Sequence, residues 1–193
     1  LGCLTACQTS SYYSQLASGQ WALLNDRQSI AELLENPDTP APLRERLLLV
    51  QSIRDFASDQ LTLPNNQSYR YYVDLQRPHA VWNVYAAEEF SIEALEWCFP
   101  IAGCVAYRGY FEEQQASKFA ADLSAQGYDS FVGGVAAYST LGWFDDPVLN
   151  TFIYRDDARL AGLLFHELAH QQLYLPGDTA FNESFARAVK AML

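Results

Sequence analysis

Apolar residues recur at helical spacing over residues 11–35, at Leu16, Leu23, Leu24, Ile30, Leu33 and Leu34, which predicts a first helix. The run "NPDTPAP" ends it, and Pro42 then opens a second helix to about residue 60 with Leu43, Leu47, Leu48, Val50, Ile53 and Phe56 apolar. After the turn-forming "LPNNQS" the pattern changes. "YRYYVDL" and "VWNVYAA" are aromatic and β-branched, as strands are, and "IAGCVAYRGYF", "FVGGVAAYS" and "NTFIYRD" read the same way. Residues 112–126 read as a helix closed by Gly127. Two further helices are expected at about 156–174 and 179–193, split by "PGD", with Asp178 or Thr179 as the second N-cap. The predicted class is α+β: an N-terminal helical hairpin, a small mixed β-sheet, and two closing helices.

Composition narrows the function classes. Half of the 193 residues are hydrophobic and only 18% are charged, so a sizeable core is available and the composition argues against disorder. The net charge is −11 and no Lys/Arg cluster stands out in the sequence, which argues against nucleic acid or an anionic lipid surface as partners. No window approaches the ~18 apolar residues of a membrane span.

The chain start carries a second signal. "LTAC", Leu4 to Cys7, has the pattern of a lipoprotein processing site: a branched apolar residue, two small ones, then the cysteine that takes the lipid. Residues 1–7 are therefore expected to be the remnant of a signal peptide, with Cys7 the lipidated residue, and residues 8–193 a single domain. Gln8, where an Asp would retain the protein at the inner membrane, points to the periplasmic face of the outer membrane, with membrane contact only through the lipid. Export implies an oxidising compartment, in which Cys98 and Cys104 of "WCFPIAGC" are expected to pair; the alternative is two buried thiols.

The chemistry concentrates in "LLFHELAHQQLYLPGDTAFNESFA". The helix carrying it is apolar almost all round, and polar groups on such a helix must be bonded, paired or bound to a metal. His166 and His170 lie one turn apart on one face and can converge on one ion. Glu167, beside the first histidine, can reach a metal-bound water without being a ligand. Two histidines leave zinc short of three protein ligands. Glu183, on a second helix folded back by "PGD", can complete the set, and Ala186 one turn later permits close helix approach. The third histidine of the chain, His79, is a distant alternative. Tyr138 is a candidate donor to an oxyanion, with Tyr107, Arg108 and Tyr110 as others; in a chain with twelve tyrosines each is also an ordinary core aromatic.

HExxH followed on a second helix by Asn-Glu-x-x-Ala resembles the gluzincin metallopeptidases. Through "YYSQLASGQWALL", "WCFPIAGCVAYRGYF", "AYSTLGWFDDPVL" and "FHELAHQQLY…GDTAFNESFA" the whole chain resembles a bacterial family of zinc-dependent aminopeptidases that are predicted lipoproteins. The resemblance implies His166, His170 and Glu183 as Zn2+ ligands, Glu167 as base, and a peptide as substrate. It also implies a chain that continues beyond Leu193. Two departures stand out: the gap to Glu183 is shorter than in the large aminopeptidases, and their Gly-x-Met-x-Asn strand is absent, Met192 being the sole methionine. The expected function is a zinc peptidase anchored in the bacterial envelope. The alternative is a non-catalytic, zinc-containing envelope lipoprotein that binds a peptide or a partner protein, although a purely structural site has no need of Glu167 as a base.

Overall fold

The computed structural model describes residues 2–99 and 103–192, with side chains from residue 10 onward. Along the chain the elements are α1 (Gly2–Asn25), β1 (Gln28–Ser29), α2 (Ile30–Glu35), α3 (Ala41–Asp59), β2 (Tyr71–Val73), β3 (Val81–Glu88), β4 (Trp97–Phe99), β5 (Gly103–Val105), β6 (Arg108–Tyr110), α4 (Glu113–Ser124), β7 (Tyr128–Val135), β8 (Val148–Leu149), α5 (Asp157–Gln172) and α6 (Thr179–Lys190). The class is α+β. No helix among the described residues is long and apolar enough to cross a membrane. The side chains of Cys3 and Cys7, and the turn residue Pro100, lie outside the described residues.

The sequence reads as one domain from residue 8, and within it the contacts gather into two compact units. One comprises residues 1–26 and 77–137. Its antiparallel sheet has the order β6-β3-β7, with Trp82 opposite both Tyr110 and Gly134. Tyr12 of α1, Trp82, Val84 and Tyr110 of the sheet, and Ala116, Ala120 and Leu123 of α4 form its core. Gln15 ties α1 to β6, donating to Gly109 O and accepting from Phe111 N. The hairpin β4–β5 pairs Cys98 with Cys104, and their sulfurs are bonded.

The other unit comprises residues 27–76 and 138–193. Its small mixed sheet has the order β1-β2-β8, antiparallel and then parallel. Leu47, Val50 and Ala57 of α3 are buried with Leu160, Leu164, Phe165 and Leu168 of α5. Phe56 stacks on Phe165 across these two helices.

Two expectations about elements need correction. The helix expected over 11–35 is two helices split at 26–29. Ser29 leaves α1 behind, pairs with Tyr71 in the sheet, and caps α2 by accepting from Glu32 N. The pair that packs as an N-terminal hairpin is therefore α2 with α3, whereas α1 belongs to the first unit. "NTFIYRD" is not a strand. The strand is β8, just before it, and Asn150 ends the pairing by accepting Leu75 N at its side chain. Residues 150–155 then turn back in tight turns, with Phe152 and Ile153 both buried. The backbone bonds here are local, from Phe152 N and Ile153 N to Leu149 O and from Arg155 N to Phe152 O, as in turns and not in a strand ladder.

Candidate metal centre

The sequence sets the helix of the site firmly. Asp156 caps α5 by accepting Arg159 N at 2.9 Å. Leu160, Leu164, Phe165, Leu168 and Ala169 are each at most 1% exposed, so the helix is buried around most of its circumference and its polar residues are desolvated. His166 and His170 stand one turn apart with rings nearly perpendicular at 88° and Nε2 atoms 3.1 Å apart.

The second helix returns after a short turn. Asp178 caps it through Phe181 N at 2.9 Å, and Ala186, fully buried, lets it lie close to α5. Glu183 is thereby brought to the histidines, Oε2 at 3.5 Å from His166 Nε2 and Oε1 at 3.5 Å from His170 Nε2.

These donors fit a divalent cation of the zinc type. Tetrahedral ligands at 2.0–2.2 Å place neighbouring donor atoms roughly 3.3–3.6 Å apart; here the two Nε2 atoms are 3.1 Å apart and each lies 3.5 Å from a different oxygen of the Glu183 carboxylate. This is the one group of three or more His, Cys, Asp or Glu donors found so close together among the described residues. Burial lowers the pKa of both histidines; at His166 the charge of His170 adds to this while Glu183 opposes it, and at His170 Glu183 alone opposes it. Neutral imidazoles keep the lone pairs that a metal needs. His170 Nδ1 is buried without a hydrogen-bond partner among the described residues, and Tyr174 stands edge-on to this ring at 6.3 Å.

Glu167 points into a different set of partners. Burial first, then the charges of Asp146 and Glu183, raise its pKa to about 7, against a hydrogen bond from Ser139. Ser139 also reaches Asp146 Oδ2 at 3.3 Å, so one hydroxyl stands between two carboxylates. Asp146 is 3% exposed and accepts in addition from Thr140 N (2.9 Å) and Thr140 Oγ1 (2.8 Å). Tyr69 is also buried there; burial, and then the charges of Glu167 and Asp146, push its hydroxyl well above the usual range. Its backbone N–H donates to Asp146 O, and its φ is +63°, uncommon for a bulky residue.

The C-terminal end of α5 is braced from below. Arg54, fully buried on α3, donates to Ser68 O (2.9 Å), Ser58 Oγ (2.7 Å) and Pro64 O (2.5 Å), fixing the loop "LPNNQS". That loop holds Gln171, next to His170, through Asn66 Nδ2 at 2.8 Å and Ser68 Oγ at 3.2 Å.

The structure thus gathers His166, His170 and Glu183 and sets Glu167 beside them. Tyr138 precedes Ser139 in the same unit and is partly buried. His79, Tyr107, Arg108 and Tyr110 belong to the other unit. There His79 meets Trp82 edge-on and lies over Gly134, while Arg108 lies over the rings of Tyr12 and Phe119. Sequence reasoning missed Ser139, Asp146, Tyr69 and Asn182. Of these only Asn182 had a local signal, as the residue before Glu183 in "NES".

A model of the family described as "Putative aminopeptidase" matches residues 11–192. No curated protein and no solved structure matches the chain.

Proposed function

The chain belongs to that aminopeptidase family, and from this premise we propose that it is a zinc-dependent peptidase. The observation that carries the reading is the triangle of His166, His170 and Glu183 donors, with Glu167 one residue from the first of them on the same buried helix. A zinc ion held by those three residues would supply Lewis acidity for a peptide carbonyl and for the attacking water. Glu167 accepts the proton of that water and returns it to the leaving amine. Ser139, whose hydroxyl also reaches Asp146, would orient the Glu167 carboxylate when it donates to it. Tyr138, next to Ser139, is the candidate donor to the developing oxyanion. Action at the amino end of the peptide is favoured by the family description.

The proposal extends to location. The "LTAC" pattern supports a lipid on Cys7 and attachment to the bacterial envelope, at the periplasmic face of the outer membrane. Mass spectrometry of the protein from its natural host should find Cys7 as an acylated N-terminus; an unprocessed segment ahead of it would refute the anchor and leave the peptidase reading standing.

Metal analysis joined to a peptide panel tests the chemistry. The wild-type protein should hold one zinc and release amino-terminal residues. Glu167→Gln keeps shape and burial, so it should keep the zinc while losing roughly 10²–10⁴-fold in turnover. Normal hydrolysis by Glu167→Gln would end the catalytic assignment and favour a structural zinc in a binding protein.

A further inference from the structure

A cavity of about 370 Å³ opens against the centre, with His166 and Glu167 in its wall. The rest of its polar lining is cationic: Arg155, Arg159 and Lys190. In a chain of net charge −11 with only twelve Lys and Arg, three of them around one cavity is a marked concentration.

Two of these cations are outside any ion pair among the described residues, and the third is held only weakly. Arg155 and Lys190 make no ion pair among the described residues. Arg159 meets Asp156 at 3.2 Å, but both side chains are more than half exposed, and such a pair holds weakly. Lys190 reaches the cavity because the chain makes room for it. A Cβ on Gly162 would lie 2.7 Å from Lys190 Cε, so the lysine stem crosses α5 at the one position without a side chain.

We propose that this cavity is an anion subsite, and that the protein prefers peptides carrying a carboxylate next to the bond it cleaves. The inference rests on the peptidase reading and deepens it. Glu167 and His166 fix where the bond is cut, and the cations share their cavity, so a carboxylate there belongs to the adjacent residue of the same substrate. That carboxylate comes either from an acidic side chain or from the free C-terminus of a short peptide. Guanidinium and ammonium groups recognise both.

The test uses the zinc-loaded protein and four dipeptides: alanyl-glutamate with its C-terminus amidated, its glutamine counterpart, alanyl-alanine, and alanyl-alanine amide. A carboxylate-bearing peptide should have a KM about tenfold below its neutral counterpart. The ratio should shrink with added salt. It should fall to near one in Arg155→Ala and Lys190→Ala and survive in Lys190→Arg. Gain in the glutamate pair assigns the anion to a side chain, and gain in the alanine pair assigns it to the C-terminus. Calorimetric binding of the same four peptides to zinc-loaded Glu167→Gln gives a second readout that needs no turnover. If no peptide is cleaved, the peptidase reading fails, yet tighter carboxylate binding that Arg155→Ala abolishes still supports the subsite. Ratios near one for the wild type in KM, and for Glu167→Gln in calorimetry, overturn it, as does a preference that neither alanine substitution reduces.

Discussion

Asn182 grips Leu175 by both of its backbone groups: the side-chain oxygen accepts Leu175 N and the side-chain nitrogen donates to Leu175 O, each at 2.8 Å. Asn182 is 2% exposed, lies next to Glu183, and so fixes the turn that returns α6 to α5. Asn182→Ala takes the partner from Leu175 N, while Leu175 O keeps Asp178 N at 3.2 Å, and the lost hydrogen bonding costs about 1–3 kcal/mol. The melting temperature should fall, and zinc affinity should fall with it because Glu183 loses its alignment. A destabilised variant with unchanged zinc affinity would show that the turn does not set the position of Glu183.

Ligand loss and metal removal should act through the same three residues. Zinc bound only by the folded chain adds about 2.7 kcal/mol of stability at a hundredfold excess over its Kd. Chelation of the wild-type protein should therefore lower its melting temperature reversibly. Glu183→Ala removes a proposed ligand, so its zinc affinity should fall by at least about tenfold, with a smaller zinc-induced shift. An equal shift in both proteins would exclude Glu183 from the centre.

Asp146 makes stability depend on pH in a stated direction. Burial raises its pKa from 3.8 to about 6, outweighing the hydrogen bonds from Thr140 and Ser139. The folded chain thus binds this proton more tightly than the unfolded chain does. The resulting stabilisation is full below about pH 4 and is lost as pH rises through about 6. Asp146→Asn is neutral throughout, so it should flatten that dependence. In metal-free protein the variant should gain roughly 2–3 kcal/mol on the wild type between pH 4 and pH 7. Denaturant titrations at those two pH values measure the difference, and parallel pH profiles for the two proteins would contradict it.

What the sequence made legible is what is local. HExxH needs only the helical period, and that period is strong through the buried face of α5. Glu183 follows from one short turn and a second helix. The break between α1 and α2 carries no Gly or Pro, and it exists because Gln28 and Ser29 pair with residues more than forty positions away. The surroundings of Glu167 were hidden for the same reason. Ser139, Asp146 and Tyr69 come from distant segments, and a serine in a loop has no pattern that announces a carboxylate on each side. Asn182 was in view beside Glu183, but its partner is the backbone of Leu175, and a backbone group has no letter in the sequence.

Ser139 should prove to act through Glu167. Its hydroxyl carries one proton and stands between Glu167 and Asp146, so it can donate to only one of them at a time. The loop is held independently, since Thr140 N and Oγ1 both bind Asp146, so Ser139→Ala should fold and keep its zinc. Leu141 N loses its acceptor in the same loop, and Glu167 loses a hydrogen bond to a charged group, worth about 1.5–3 kcal/mol, or roughly 10–100-fold. That loss should appear in kcat with KM little changed, because in the proposed mechanism Glu167 works on the attacking water and not on the peptide at rest. Ser139→Thr, which keeps a hydroxyl, should recover most of the rate. The decisive comparison is a double-mutant cycle. If Ser139 serves only to hold the Glu167 carboxylate, removing it from Glu167→Gln should lower the residual rate by less than about threefold, against the larger loss in the wild type. Equal losses in both backgrounds would show that Ser139 acts on something other than Glu167, and would separate the two residues in the mechanism.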